Sequence, residues 1–344
     1  MIPARELRGI TRRSGSDPMS KLSRRSLIAV ALPAMAATAV RAQDAEDYPT
    51  HPVTFVVPFA KGGGTDTLGH MLGDKLQERF GQPFAVQNRA GQGTVIATNF
   101  VSKSRPDGYT IMMAVSTLAI DATLYKKLPY DPARDFAMLA LVSWVPFVLV
   151  VSPSLPVYSV ADLINLAKQK PLSYGSGGVG AFHHLAGALF ASKTGIKMTH
   201  VPYHGTAPAL DDLVHGYIQL MFTDYGPAQP LITSGKLRPI AVTTTRGLAV
   251  LPGVPPLAEA GVPDFDVAAW QSVIAPAKTP GDIVVKLNSV LNAVLTTPEV
   301  RGRIKDLGME PAGSHSPAEL AAFLQSEIAR WGKIVEAAGL ARSA

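Results

Sequence analysis

Three consecutive glycines mark the first segment of this sequence that could bind a ligand through its backbone. The segment Phe59–Asp66 reads Phe-Ala-Lys-Gly-Gly-Gly-Thr-Asp and lies between a predicted strand and a predicted helix. Unpaired N–H groups and the positive end of the helix dipole favour an anion at such a helix start, and glycines let the backbone approach it closely. A Walker A loop is excluded, because Lys61 precedes the glycines and no Gly-Lys-Ser/Thr follows them. Two interpretations stay open: a small-anion site, or a flexible turn in which Asp66 is the helix N-cap.

A second glycine-rich segment, Gly175–Gly180, also separates a predicted strand from a predicted helix, and it matches the pattern G-x-G-x-x-G. In a dinucleotide-binding fold an acidic residue follows about 20 positions later and binds the ribose. Residues 197–204 occupy that place and contain no carboxylate, which argues against a nucleotide cofactor. A small-anion site at the helix start remains, with the Ser176 hydroxyl as an additional donor.

Histidines are concentrated near the second glycine segment, since five of the eight lie within residues 183–215. A metal site would need imidazoles that converge on one ion. His200 and His204 are four residues apart, but Pro202 between them rules out a shared helical face. We therefore predict no metal and no cofactor. The sequence also lacks G-x-S-x-G and H-E-x-x-H motifs, which favours a protein without catalytic residues.

The charge of the chain is distributed unevenly. Residues 1–42 carry eight Lys and Arg but only two Asp and Glu, which accounts for the entire formal charge of +6. The remaining residues are neutral overall, so nothing favours nucleic acid as a partner. With 344 residues, 47% hydrophobic and 17% charged, the chain is long and apolar enough for two globular domains. The lack of cysteine excludes disulfides, thiolate metal sites and a cysteine nucleophile.

The basic N-terminal segment has the features of an export signal. An arginine pair within Ser23–Ser26 precedes the uncharged run 27–40, and small residues flank a cleavage site near Ala42. We predict a signal peptide with an upstream extension over residues 1–42, and a mature periplasmic protein from Gln43. The arginine pair leaves the general secretory and twin-arginine routes both open. The alternative is a membrane anchor, but about 14 apolar residues do not span a ~30 Å hydrocarbon core.

Strands and helices alternate along the rest of the chain, as expected for parallel sheets covered by helices. Apolar runs bounded by turn residues predict strands at 51–58, 84–87, 109–115, 147–151, 172–174, 197–202, 218–222, 237–243 and after Trp270. Helical periodicity predicts helices at 67–80, 94–104, 159–169, 183–194, 207–215, 282–296, 299–307 and 317–338. The pattern forms two α/β units, and the last segment is able to return to the first. We therefore predict lobe 1 over 43–145 and 266–344, lobe 2 over 146–265, and a cleft between them.

A series of short motifs follows this pattern: Val56–Asp66, Asn88–Gly93, Pro106–Thr110, Tyr174–Gly180, His184–Gly187, Val201–Ala209, Gly235–Arg238, Ala241–Thr243, Leu251–Pro255, Glu259–Gly261 and Ala275–Ala277. In their order and spacing, these motifs resemble the Bug family of extracytoplasmic solute receptors, the binding components of tripartite tricarboxylate transporters. The resemblance covers residues 48–340. It implies an α/β fold of the type II periplasmic-binding class, in which two lobes joined by two crossover segments close on a small carboxylate.

The resemblance also implies which residues bind the ligand. Carried over position by position, they are Phe59, Gly63, Gly64, Thr65, Asp66, Ser116, Thr117, Ser176, Gly177, Gly178, Val179, Gly180 and His184, with His204 and Thr206 at the rim. The crossovers would lie near 144–151 and 266–275, and the lobes would close by a hinge motion there. No reaction is catalysed in such a receptor.

The expected partners are a small carboxylate (a di- or tricarboxylate, an amino acid or an aromatic acid) and the membrane permease subunits of the transporter, with the receptor itself a monomer. The alternative is a sensory receptor that presents its ligand to a membrane histidine kinase. The sequence departs from the family pattern at Lys61, Gln92, Thr94, Ala181 and Thr223–Asp224, which leaves the ligand open. We hypothesise that Lys61 lies at the cleft mouth and pairs with a distal carboxylate of the ligand; otherwise it is a solvated lysine on a loop tip.

Overall fold

The alternation of strands and helices folds into one mixed sheet covered by helices. The computed structural model describes residues 47–344. Its strands are β1 (Val53–Val57), β2 (Phe84–Asn88), β3 (Thr110–Val115), β4 (Phe136–Val151), β5 (Leu172–Ser176), β6 (Met198–Pro202), β7 (Leu220–Asp224), β8 (Arg238–Val242), β9 (Ala268–Pro276) and β10 (Glu310–Pro311). Its helices are α1 (Gly64–Phe80), α2 (Val95–Ser102), α3 (Thr117–Leu124), α4 (Val160–Gln169), α5 (Phe182–Thr194), α6 (Thr206–His215), α7 (Tyr225–Thr233), α8 (Gly281–Leu295), α9 (Pro298–Asp306) and α10 (Pro317–Ala337). The predicted α/β class is confirmed.

One long strand, β4, belongs to both halves of the sheet. The strand order is β2-β1-β3-β9-β4-β7-β5-β6, with β8 and β10 also paired to β4. Strand β1 is parallel to β2 and β3, and β5 is parallel to β6 and β7. Residues 136–146 of β4 pair with β9, whereas residues 147–151 pair with β7 and β8. Strand β4 thus connects the two parallel groups where the sequence predicts a crossover, and the residues that bound the two lobes stay a prediction.

Several elements differ from the sequence-based expectation. Strand β4 starts at Phe136, eleven residues before the predicted strand, because its apolar run continues through the crossover. Helices α3 and α7 were not predicted: α3 is short and its N-cap makes no side-chain bond, and α7 contains Pro230, which removes a helical hydrogen bond and argues against a helix. Helix α1 starts at Gly64 rather than at Thr67, so Asp66 lies in its first turn and is not the N-cap.

Capping residues fix several helix ends where the sequence places them. The Ser159 hydroxyl accepts from the Asp162 amide at the start of α4. Ser316 and Glu319 form a reciprocal capping box at the start of α10. Gly81 ends α1 with a φ of 71°, a left-handed conformation that glycine adopts without strain.

Buried side chains of α10 hold the start of β9. The indole Nε1 atoms of Trp270 and Trp331 each donate to Glu327 Oε2 at 2.9 Å. Arg330 donates to Glu327 Oε1 at 3.1 Å and also to the Asp266 carbonyl. The Glu327 charge is therefore compensated although its side chain is buried. These contacts anchor the chain where it enters β9.

Residues 48–344 form a single compact unit. Within the described part of the chain, no helix combines the length and apolarity needed to cross a bilayer. The predicted signal peptide, its cleavage site near Ala42 and the membrane-anchor alternative lie outside the described residues.

Candidate ligand-binding site

The carboxyl ends of parallel strands collect the predicted ligand residues into two groups. In the first half of the sheet, Phe59–Asp66 follows β1 and Ser116–Thr117 follows its parallel neighbour β3. In the second half, Gly177–Gly180 follows β5 and residues 203–206 follow its parallel neighbour β6. The Gly205 amide donates to the Gly177 carbonyl at 3.2 Å and joins the last two segments. Open α/β sheets bind ligands at such an edge.

The first glycine segment leads into a helix start with unpaired N–H groups. Its N-cap is Gly63, which has no side chain to accept a hydrogen bond. The amides of residues 63–66 have no acceptor among residues 47–344. Four such N–H groups beside the positive end of the α1 dipole suit an anion. An added Cβ at Gly64 would lie 2.7 Å from Met309 Cε, so this glycine permits close packing.

A buried carboxylate, Asp66, holds the first glycine segment in shape. Its Oδ2 accepts from the Gly62 amide at 2.8 Å, and its Oδ1 accepts from Asn88 Nδ2 at 2.7 Å. Asn88 Nδ2 also donates to the Phe59 carbonyl at 3.0 Å. Burial alone would raise the pKa of Asp66, but the hydrogen bonds from Asn88 and Gly62 and the nearby positive charges of His70 and Lys61 together lower it. Asp66 is therefore an ionised brace of the loop, and its predicted contact with a ligand stays a prediction.

Hydroxyl groups line the same edge of the first sheet half. Thr65 Oγ1 lies 3.2 Å from Gln271 Nε2 of β9. Thr117 Oγ1, at the start of α3, lies 2.8 Å from Thr94 Oγ1. The buried Ser116 hydroxyl instead accepts from the Trp270 amide at 2.7 Å. Ser116 therefore connects β3 to β9, whereas Thr65 and Thr117 stand at helix starts where a ligand can reach them.

The second glycine segment is held by side chains beneath it. Ser176 Oγ donates to the Gly178 carbonyl at 2.9 Å and lies 2.6 Å from His200 Nε2. The Gly180 amide donates to His184 Nδ1 at 3.1 Å. Gly180 has a φ of 75°, and an added Cβ would lie 2.2 Å from Leu124 Cδ2 at the end of α3. Only glycine fits at this contact.

His184 and His200 stack on each other below the second glycine segment. Their ring centroids lie 3.6 Å apart with an interplanar angle of 4°. The pKa of each imidazole is lowered to about 4, by burial for His184 and by burial together with a smaller repulsion from His184 for His200. Both rings are therefore neutral near pH 7 and support the loop. Among residues 47–344, no group of three or more His, Asp or Glu is placed to hold a metal ion.

Replacing His200 with glutamine is expected to make the protein less sensitive to acid. The unfolded chain takes up protons on these imidazoles below pH 6.5, whereas the folded protein does so only near pH 4, so stability is lost as the pH falls between these values. Removing one buried imidazole should spare roughly 2 kcal/mol of that loss at pH 4.5. Melting temperatures measured from pH 7.5 to 4.5 check this. His215→Gln, at an exposed histidine, is the matched control, and parallel profiles for all three proteins would contradict the prediction.

One short segment touches the first group of site residues and the start of α7. Met309 packs against Gly64, and Gly308 approaches Tyr225 at the start of α7. Just before Tyr225, Asp224 Oδ2 lies 3.4 Å from His183 Nε2, in the first turn of α5. Residues 308–309 therefore lie between the helix starts that follow the two halves of the sheet.

Comparison with known proteins identifies the family to which this site belongs. The profile of the tripartite tricarboxylate transporter family receptor, TctC, matches residues 69–340. The chain belongs to this receptor family. Three solved structures resemble the receptor over most of its length and confirm the predicted periplasmic-binding fold.

The first of these structures is Rpa4515 of R. palustris with adipate, which is 40% identical with a TM-score of 0.78 over 86% of this chain and 99% of that chain. The periplasmic binding protein BugD is 33% identical with a TM-score of 0.75, over 86% of this chain and 99% of its own. MatC of Rhodopseudomonas palustris with bound malate is 32% identical with a TM-score of 0.73, over 84% of this chain and 100% of its own.

The remaining predicted residues of the receptor lie at the periphery of the two groups. Phe59 and Val179 are exposed by 37% and 56%. Lys61 and His204 are exposed, and Thr206 starts α6 half-buried. Two cavities, of about 310 and 190 Å³, lie away from both glycine segments: one beside Lys170 and Gln219, the other beside Ala133 and Leu324. Neither cavity is lined by a predicted ligand residue, and the position of the ligand at the glycine segments stays a prediction.

Several residues that shape the site were not among the predicted ligand residues: Asn88, Thr94, His183, His200, Asp224, Gln271 and Met309. Asn88 falls within a motif of the family resemblance, which was a usable signal, whereas Thr94 is a position where the sequence departs from the family pattern. The pairing of His200 with Ser176 follows from the register of β5 and β6, and sequence spacing does not show it. Gln271 and Met309 are brought to α1 from the other end of the chain.

Proposed function

We propose that this receptor captures a small dicarboxylate in the periplasm and delivers it to the membrane subunits of a tripartite tricarboxylate transporter. The observation that carries the proposal is the row of four unpaired amides at residues 63–66, next to the Thr65 hydroxyl. This end of the site offers hydrogen-bond donors at a positive helix end, which is the chemistry that binds a carboxylate. The structure of Rpa4515 with adipate and that of MatC with malate support a dicarboxylate.

The second glycine segment would bind the other carboxylate. The amides of Gly177 and Val179 have no acceptor among the described residues, and they precede the start of α5. A dicarboxylate held at both ends would connect the two halves of the sheet, one lobe on each side. Closure about β4 and β9 then follows from the affinity difference between the open and closed forms. We propose that the closed receptor is what the permease subunits bind, and that it acts as a monomer.

Catalysis is not part of this proposal. The hydroxyl nearest to a histidine, that of Ser176, is buried and bonded to the Gly178 carbonyl. Burial also lowers the pKa of His200 to about 4, which makes its imidazole a weak general base at neutral pH. This pair therefore supports the loop and does not attack a substrate.

The test is a titration of the receptor recovered from the periplasm of a Gram-negative host that expresses the full chain with its own leader. Adipate, malate, succinate, citrate, glutamate and benzoate are added singly, and the melting temperature and heat of binding are measured. At a hundredfold excess over its dissociation constant, a ligand stabilises the folded state by about 2.7 kcal/mol. We expect such a shift with at least one dicarboxylate. No binding by any of the six, in protein stripped by denaturation and refolding, would contradict the proposal.

Lys61 is proposed to lie beside the distal part of the ligand. Lys61 is part of the first glycine segment, its side chain is exposed, and its charge helps to lower the pKa of Asp66. Lys61→Ala is expected to raise the dissociation constant for the preferred dicarboxylate about threefold, because an exposed ion pair contributes ~0–1 kcal/mol. Titration calorimetry of this variant beside Lys278→Ala, an exposed lysine after β9, checks it. Equal constants for the two variants would show that Lys61 is a solvated loop residue.

A further inference from the structure

Gln271 connects the border of the two sheet halves to the first glycine segment. It lies in β9, where it pairs with Val115 of β3 and Ser143 of β4. Its side chain is 4% exposed. From there its amide nitrogen reaches Thr65 Oγ1 at 3.2 Å, in the first turn of α1. A side chain of the border strand therefore contacts the helix start that carries the unpaired amides.

The neighbours of Gln271 determine which way its amide group faces. Met309 Sδ lies 3.7 Å from Gln271 Nε2, and the Ser143 hydroxyl donates to the same sulfur at 3.7 Å. A thioether sulfur accepts hydrogen bonds and cannot donate them. In the structure the NH₂ of Gln271 faces both this sulfur and Thr65, and its buried Oε1 has no hydrogen-bond partner among residues 47–344.

The direction of this hydrogen bond fixes the role of the Thr65 hydroxyl. An amide NH₂ only donates, so Thr65 Oγ1 must accept from Gln271. The proton of the Thr65 hydroxyl is then free to be donated, and it has no acceptor among residues 47–344. It stands beside the unpaired amides of residues 63–66. The Thr65 hydroxyl and the amides of residues 63–66 therefore offer five hydrogen-bond donors at this end of the site.

We infer that Gln271 is a positioning residue for ligand binding, which acts through Thr65 by holding its hydroxyl as a committed hydrogen-bond donor toward a ligand carboxylate. The inference rests on the proposed function and adds a source of specificity to it. A site with five clustered donors favours an ionised carboxylate over the corresponding primary amide, whose NH₂ finds few acceptors there. Gln271 thereby contributes to ligand specificity, although it lies in β9 and outside both glycine segments.

A double-mutant cycle on adipate binding tests this assignment. Thr65→Val removes the donor and is expected to weaken adipate binding about tenfold, while Thr65→Ser retains it and stays near wild type. Gln271→Met lets the Thr65 hydroxyl rotate and should weaken binding several-fold. Since Gln271 acts through Thr65, adding Gln271→Met to Thr65→Val should cost nothing more. Dissociation constants come from titration calorimetry, and melting temperatures show that each variant is folded.

Gln271→Glu gives a sharper contrast. Its carboxylate would accept the Thr65 proton and place a negative charge beside the anion site, so adipate affinity should fall at least a hundredfold. Gln219→Glu is the matched control, because Gln219 is a part-buried glutamine that bonds to Ser173 in the second half of the sheet. The inference is overturned if Gln271→Met weakens binding equally with and without Thr65→Val, or if Gln271→Glu binds like Gln219→Glu. Failure of the wild-type receptor to bind any of the six acids would instead contradict the proposed function, and the inference with it.

Discussion

Replacing Asp121 with asparagine is expected to stabilise this receptor, by a margin that grows as the pH rises. Asp121 lies in α3 and is 3% exposed. Among the described residues, the carboxyl group of Asp121 makes one hydrogen bond: its Oδ2 accepts from the Tyr130 hydroxyl at 3.2 Å. Burial raises the pKa of Asp121 to about 8, against a smaller lowering by the Tyr130 hydrogen bond. The folded protein thus keeps a proton that the unfolded chain releases near pH 4.

The sign of the effect follows from this difference in proton binding. A carboxyl with a raised pKa favours folding below its usual pKa, and this advantage is lost progressively as the pH rises to about 8. Asparagine has no proton to lose and can still accept from Tyr130. Asp121→Asn should therefore gain on the order of 3–5 kcal/mol over wild type at pH 8, and only about 1 kcal/mol at pH 4.5. Melting temperatures across this range measure the difference.

A matched substitution separates this effect from a general change in net charge. Asp306→Asn removes an exposed carboxylate at the end of α9 and should shift the melting curve little at any pH. If Asp121→Asn and Asp306→Asn showed the same pH profile, Asp121 would be ionised in the folded state. Together with the buried imidazoles of His184 and His200, Asp121 predicts a stability maximum between the acid loss and the alkaline loss.

Local signals explain how much of this structure could be predicted from sequence. The glycine segments, the end of α1 and the starts of α4 and α10 depend on neighbouring residues only, and the structure has these helix ends within one residue of the predicted ones. The start of α1 was missed, because Gly63 caps it through its conformation and without a side chain. A run of glycines is typical of a loop in sequence, although Gly63 is here the N-cap of the helix.

Long-range contacts explain what could not be predicted. Gln271 follows Thr65 by 206 positions, and they meet because β9 returns to pair with β3. His200 reaches Ser176 because β6 lies beside β5. In both cases the partner of a loop residue sits on a neighbouring strand. The residues of a loop thus indicate that the loop can bind an anion. The strand order determines which side chains support that loop.

Asp66→Asn is expected to cost both stability and ligand affinity. The two carboxylate oxygens of Asp66 accept from the Gly62 amide and from Asn88 Nδ2, so both sides of this buried group face donors. Asparagine has only one acceptor oxygen, and its NH₂ must face one of those two donors. Losing one charge-assisted hydrogen bond and leaving a buried donor unpaired should destabilise the receptor by about 2–4 kcal/mol.

Asp66→Asn has two opposite effects on ligand affinity, and we expect the altered loop shape to weaken binding more than the loss of a negative charge strengthens it. Removing a negative charge beside an anion site should by itself strengthen dicarboxylate binding, so weaker binding by Asp66→Asn, by about tenfold, would identify loop geometry as the dominant effect. Asp74→Asn on the exposed side of the same helix makes the same chemical change without touching the loop, and should leave the melting temperature and the dissociation constant unchanged. Calorimetric titration with adipate and melting curves for both variants measure the two effects. Tighter binding by Asp66→Asn would mean that the first glycine segment keeps its shape without the brace and that Asp66 only opposes the ligand's charge.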